Sequence, residues 1–477
     1  MSTSKKIVYN VIFSSVAKIL STAAALVAIG LITRHLGQEG FGWYATALAF
    51  LPFFGAIGDW GLPQTTAMRI SKPKADENKI ISNALGIRVF ISLGILIIVP
   101  LVIPLLPYPM ELKLAIVLVA FSYIFSSFYQ VLIGMFQKRL LMDRITGAEL
   151  LGKIIQVGLI IVGVKLDWGF YLIISTLLAN MVINFSFIFL MSRQFVKFKP
   201  AFDFSFWKNF LKQAIPIGIG TALTFVYFRS NTILLSLLRP PEDVGIFGAA
   251  QKVIENVSFF PAMIVGLTMP LFTYNLNKNK ERFKFIVSEN YKVFFILTIP
   301  LVIGGVMLAD GIINIIAGPE FQASVPVLQT VVFALALIFF GNLFINILIA
   351  ASLQKYMFIA LLICAVFNIS TNLYFIPRFP ETSYMVPAII SVITELLVVF
   401  LTGIFIYKKL HFFPRVEKFI FMLTSGFLMF AYLWFLKDLN FFFLLITSPL
   451  IYFSGLFFFK VISKKELQSL LMRSKKL

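Results

Sequence analysis

The sequence predicts an all-α polytopic membrane protein. Its 477 residues are 59% hydrophobic and only 13% charged, with a mean hydropathy of +0.93. A soluble chain of this length would need far more charge to cover its surface. Apolar runs of about 20 residues, the length that crosses a bilayer as a helix, recur fourteen times. The basic residues fall in every second loop, the distribution expected of loops held on the cytoplasmic side.

Taken in order, the spans cover 10–33, 41–61, 80–106, 112–136, 147–164, 168–190, 210–238, 245–273, 291–317, 324–351, 356–376, 383–407, 417–436 and 440–460. The first follows Lys5 and Lys6 and is too long for a signal-peptide core, so a retained helix is expected. The joining loops are short and leave no room for a soluble domain. Basic residues gather near the start of the chain, in the loops at 69–79, 138–144, 193–212, 278–292, 355 and 408–418, and in the tail at 460–476. The alternate loops hold only Arg34, Lys113, Lys165, Arg239, Arg378 and Lys437. Both termini are therefore expected in the cytoplasm. The net charge of +20 is scattered among the spans, not gathered on one face, which argues against a nucleic-acid partner.

An internal echo orders the spans. Glu39-Gly40-Phe41-Gly42-Trp43-Tyr44 aligns with Glu242-Asp243-Val244-Gly245-Ile246-Phe247, 203 positions on. Each stretch enters the second helix of a six-helix set, a plan common in transporters built from parallel repeats. The domains expected are an N-terminal lobe over 1–192, a basic, aromatic cytoplasmic linker over 193–209 and a C-terminal lobe over 210–410. Two further helices and a basic cytoplasmic tail fill 411–477.

Five basic residues fall inside apolar spans: Lys18, Arg88, Lys153, Arg229 and Lys252. Charge at membrane depth is costly and marks a pathway or site unless it pairs or reaches water. Counting about 1.5 Å per residue, Lys18, Arg88 and Lys153 lie on the order of 10 Å inside the cytoplasmic surface. Lys18 shares a polar, small-residue stripe with Asn10, Ser14 and Thr22. Such cations suit an anionic group such as pyrophosphate in a water-filled cavity between the lobes, through charge-assisted hydrogen bonds. The plainer reading is snorkelling or structural pairing; Lys252 is spaced to pair with Glu255. Ion or proton coupling requires a carboxylate whose ionisation or ligation changes between access states. Glu395, near the centre of the twelfth span, is the first candidate and Asp310 the second, while pairing with cations is at least as good an account of Asp59 and Glu255. Glu149 is expected at the interface. Pro216, Gly218 and Gly220 interrupt the seventh span, where a bend could serve as a hinge or stand as a static kink.

Catalytic readings find little support. Cys364 is the only cysteine, so no internal disulfide or cysteine metal cluster can form. His35 and His411 sit far apart at loop edges. No Gly-rich phosphate loop, paired-histidine motif or nucleophile elbow occurs. No cofactor or metal is expected. A polymerase would want a large external loop and an acyltransferase a buried histidine.

The opening residues carry a resemblance. Asn10, Ser15, Lys18, Leu20 and Ser21, then Arg34-His35-Leu36-Gly37, Glu39-Gly40-Phe41-Gly42 and Tyr44, and later Gly58-Asp59-Trp60-Gly61 and Arg69, resemble the bacterial polysaccharide transporter family. That family includes the O-antigen flippases and shares a superfamily with multidrug and toxin extruders. The resemblance implies a V-shaped pair of lobes, alternating access, and coupling to a proton or sodium gradient. It implies a cargo of undecaprenyl-pyrophosphate-linked oligosaccharide, moved from the cytoplasmic to the periplasmic leaflet of a bacterial inner membrane. Membrane lipids, a polysaccharide polymerase and glycosyltransferases are the partners implied. A cation-coupled multidrug exporter and a peptidoglycan-precursor flippase are the alternatives; cationic drugs would suit an acidic cavity, whereas the buried excess here is basic.

Overall fold

The computed structural model describes residues 3–197 and 199–462, and no strand occurs among them. Sixteen α-helices follow one another: α1 (Thr3–Gly58), α2 (Leu62–Ile70), α3 (Glu77–Val102), α4 (Met110–Lys138), α5 (Met142–Lys165), α6 (Phe170–Ser192), α7 (Phe204–Leu238), α8 (Pro241–Val257), α9 (Phe259–Lys278), α10 (Lys280–Met307), α11 (Ala309–Ile316), α12 (Ser324–Ala350), α13 (Gln354–Phe375), α14 (Met385–Leu410), α15 (Phe419–Phe435) and α16 (Phe441–Phe458). The basic tail beyond 462 lies outside the described residues.

Among the described residues eleven stretches are long and apolar enough to cross a membrane, fewer than the fourteen expected. Part of the difference has a physical reason. One stretch, Phe13–Gly58, has 46 residues, about 70 Å of helix against a hydrocarbon core of about 30 Å, and it contains two of the expected spans. Its axis is broken at Gly37, whose φ of 65° a glycine adopts without steric cost. At 17 residues α15 is short for a crossing.

Helix starts explain the depth of the buried cations. Asp76 accepts a hydrogen bond from the Lys79 backbone and Asp203 from that of Phe206, N-caps that fix where α3 and α7 begin. Both α3 and α5 begin before their apolar runs, so Arg88 and Lys153 each follow the first helical residue by eleven positions. That is about 16 Å along the axis from each helix start, part of it in the polar turn before the apolar run.

The chain divides into two compact units, 1–245 and 246–477. In the first, α1 runs along α5 and α7, and α4 along α6. Its core is built from Leu62, Ile81, Leu132, Met135, Phe136 and Phe210 among others. The segment before α7 is tied to α3: the Ala201 N–H donates to the Ser82 carbonyl, while the Asp203 N–H and the Trp207 indole both donate to the Asn83 side chain. In the second unit α12 packs on α14 and α10, and α15 with α16 closes an apolar core around Met422, Met429, Tyr452 and Leu456.

The echoed stretches meet within the first unit. A Cβ built on Gly42 would fall 1.8 Å from the Pro241 carbonyl oxygen, and one on Gly245 would fall 2.2 Å from that of Gln38. Pro241 stands to Gln38 as Gly245 stands to Gly42, 203 positions on. The contact is thus reciprocal, backbone on backbone, and only glycine allows it.

Candidate functional site

Arg88 is fully enclosed and belongs to a closed network. One guanidinium nitrogen donates to Asp59 Oδ1 at 2.6 Å; the other donates to the Gly58 carbonyl at 3.0 Å and lies 3.3 Å from the Tyr123 hydroxyl. Tyr123 in turn donates to Asp59 Oδ1 at 3.1 Å. The Asp59 side chain is 15% exposed and that of Arg88 0%. In this conformation the counter-ion of Arg88 is Asp59, and its side chain leaves no exposed surface. Removing one partner from such a buried pair costs about 3–5 kcal/mol.

The other cations stand differently. Lys18 is exposed on α1 and Arg229 half-buried on α7. Lys153 is half-buried and donates to Gln156 Oε1 at 3.0 Å. Gln156 also accepts from Asn180, and Asn180 accepts from Asn184, so a polar ladder joins α5 to α6. Gly152 admits that ladder, since a Cβ there would lie 2.3 Å from Asn184 Oδ1. Glu149, expected at the interface, is instead half-buried one turn before Lys153 and accepts from the buried Tyr129 hydroxyl. Lys252 pairs with Glu255 at 2.8 Å, as their spacing predicts.

The two leading coupling candidates part company. Glu395 is 4% exposed on α14, and one of its carboxylate oxygens lies 3.8 Å from the Cβ position of Gly341 on α12; next to it in sequence, the Thr394 hydroxyl accepts from Asn368, and Asn372 donates to the Asn368 backbone carbonyl. Asp310 lies beyond the continuous helix expected to carry it. The crossing helix α10 ends at Met307, and Asp310 is exposed in the first turn of the short α11, where it accepts from Gln322 at 2.6 Å.

The expected hinge contains a tight contact. Helix α7 runs unbroken past Pro216. Gly218 packs on the turn after α1, where a Cβ would lie 2.3 Å from the Trp60 carbonyl carbon. Gly61 faces it, with a Cβ position 2.3 Å from the Ala214 oxygen. The surroundings of Gly220 lie outside the described residues.

Sequence reasoning about charge missed Tyr123, Gln156, Asn180, Asn184, Asn368 and Asn372. A usable signal was present: asparagines four apart within an apolar span, at 180 and 184 and again at 368 and 372, share a helix face and need partners in lipid.

The model of a family described as polysaccharide biosynthesis protein matches residues 7–276. The succinoglycan biosynthesis transport protein ExoT of Rhizobium meliloti (strain 1021) is 23% identical over 333 residues, 68% of this chain and 65% of that protein. The match thus spans just under two thirds of that relative's length. A putative O-antigen transporter of Shigella flexneri is 24% identical over 340 residues, 66% of this chain and 78% of that one. Among solved structures, the lipid II flippase MurJ in an inward closed conformation aligns with a TM-score of 0.75 at 17% identity, covering 95% of this chain and all of that one. An inward-facing multidrug resistance MATE family transporter aligns at 0.66 and 16% identity, covering 83% and 98%. At such identities the structural likeness establishes the fold alone.

Proposed function

Because this chain belongs to the polysaccharide biosynthesis protein family and is a polytopic membrane transporter, we propose that it is a flippase for a polyprenyl-pyrophosphate-linked glycan. It carries its cargo from the cytoplasmic to the outer leaflet of a bacterial inner membrane, with both termini cytoplasmic and fourteen crossings arranged as two six-helix lobes in a V with two added helices. The observation that carries the reading is the family match over 7–276, which takes in the helices bearing Lys18, Lys153, Arg229 and Lys252. Lys18, Lys153 and Arg229 are assigned to the pyrophosphate; Lys252, already paired, is assigned to keeping α8 in register. Cations in a low-dielectric setting bind phosphate oxygens more strongly than they would in water. The sugar is left to weaker polar groups such as Gln156 and Asn180, and the polyprenyl chain to lipid. Glu395, buried on α14, is assigned to coupling with a proton or sodium gradient. Polymerase and glycosyltransferase partners belong to the same proposal.

Two cargoes share this chemistry. Likeness of fold across the whole of the lipid II flippase favours a peptidoglycan precursor, which takes first place. The names of the two sequence relatives favour a surface-polysaccharide repeat unit. Expression in a strain depleted of its lipid II flippase, and separately in one lacking an O-antigen flippase, separates them. Restored growth in the first strain supports the precursor. Restored surface glycan in the second supports the repeat unit. Failure of a well-expressed protein in both, with efflux of a cationic drug, would replace the proposal with the exporter reading.

A further inference from the structure

We infer that Asp59, Arg88 and Tyr123 form a proton-operated latch that sets the position of α7, with Arg88 acting as a positioning residue and not as a cargo ligand. The inference rests on the transport reading for its purpose, but its geometry stands apart from any cargo.

The latch sits on a break in the chain. Helix α1 ends at Gly58, and Trp60 and Gly61 follow with φ of 44° and 72°. A tryptophan in the left-handed region is strained and persists only when its surroundings hold it there. Two grips do so. On one side Arg88, from α3, holds the Gly58 carbonyl and the Asp59 carboxylate together, and Tyr123, from α4, donates to the same carboxylate oxygen. On the other side the backbone of Trp60 and Gly61 lies against Ala214 and Gly218 of α7 with no side chain between. Displacing the break therefore displaces α7, the helix that also bears Arg229.

The exposures supply the switch. The carboxylate is partly open while the guanidinium is sealed, so Asp59 is the member of the pair that a proton can reach, whereas no anion reaches Arg88. The charged and titratable groups that bond Asp59 among the described residues are Arg88 and Tyr123; α7 meets this turn through the Ala214 carbonyl, the Gly218 backbone and the apolar Ile217 side chain. When Asp59 takes up a proton, Arg88 loses its carboxylate counter-ion, and its Nε is already buried without a hydrogen-bond partner. An enclosed cation without compensation drives rearrangement. Conversely, the deprotonated carboxylate draws the break, and α7 with it, back onto α3 and α4.

The test places spin labels on Ile219→Cys in α7 and Leu93→Cys in α3, both exposed positions, in a Cys364→Ser background in lipid nanodiscs. Distance distributions are recorded across an acid-to-alkaline series. The parent protein should shift its distribution as pH falls, and Asp59→Asn should show the acid-side distribution at every pH. The double variant Asp59→Asn/Arg88→Gln, which removes both charges, should fold with a melting temperature near the parent's yet respond to pH no longer. A shift in Asp59→Asn that tracks the parent's, or a parent that does not shift at all, overturns the latch. Cargo complementation is scored separately on the parent, so a failed latch with intact rescue leaves the flippase reading standing, and the reverse outcome is equally distinct.

Discussion

Asp203 shows how one side chain fixes a helix start and what acid does to it. It accepts the Phe206 N–H and lies 3.4 Å from Lys79. The Phe206 bond first, and Lys79 after it, hold its carboxyl below the usual carboxylate range. A group whose pKa is depressed by folding adds stability that is present in full above its unfolded value, about 3.9, and is lost as pH falls through the folded value. Asp203→Ala should therefore melt below the parent at neutral pH, and the gap should close as pH falls below about 4; a melting series in detergent reads both. Lys153 makes a different prediction. Its bond to Gln156 is one rung of a ladder that Asn180 and Asn184 also support, and losing one such bond costs about 1 kcal/mol. Lys153→Met should thus keep the fold while rescue of flippase-deficient cells falls at least tenfold. A variant that still rescues fully would remove Lys153 from the cargo site.

At the scale of elements, the reciprocal crossing of Gly42 and Gly245 makes the sharpest prediction. A methyl group at either position would meet a backbone carbonyl, which cannot rotate away as a flexible side chain can. Overpacking of this kind costs about 1–3 kcal/mol, so Gly42→Ala and Gly245→Ala should each lower the melting temperature. The double variant should cost less than the sum, because the first substitution has already forced the two backbones apart. The fixed offset between Gly42 and Gly245 was legible in the sequence; that the two stretches touch was not, since an offset says nothing of distance. Helices were legible wherever the apolar run was long. The short helix α2 was not, because Leu62–Ile70 falls between the spans at 41–61 and 80–106 and is too short and polar to read as a crossing. Pairing was legible for Lys252 and Glu255, which share a helix face. It was only a weighed alternative for Asp59 and Arg88, whose partnership depends on how α1 meets α3. The break before Asp310 was hidden for the converse reason: a continuous apolar stretch concealed the end of α10 at Met307 and the separate turn of α11.

For the molecule as a whole, the decisive quantity is the number of times the chain crosses the bilayer, and α1 is where length and charge can be set against each other. A single crossing would leave about half of its apolar 46-residue stretch in water, which the hydrophobic effect forbids at roughly 25 cal/mol per Å² of exposed apolar surface. On the proposed topology two crossings would place Gly37, at the break, in the headgroup region of the outer side, with Arg34 and His35 beside it; His35 shares a 2.7 Å hydrogen bond with the Trp168 carbonyl of the α5–α6 connection. Lys72 and Lys74, exposed between α2 and α3, then face the cytoplasm with the rest of the basic loops. In a Cys364→Ser background, Glu39→Cys should react with a membrane-impermeant thiol reagent in intact cells, whereas Lys74→Cys should react only after the membrane is opened. Asp167→Cys, on an almost fully exposed side chain, should behave like Glu39→Cys, because His35 and Trp168 already join these two turns on one side. Labelling of Lys74→Cys from outside would mean that α1 crosses once, and every later crossing would then reverse. The basic loops would come to face outward against the positive-inside rule, and the assignment of Lys18 and Lys153 to a cargo loaded from the cytoplasm would fall with them.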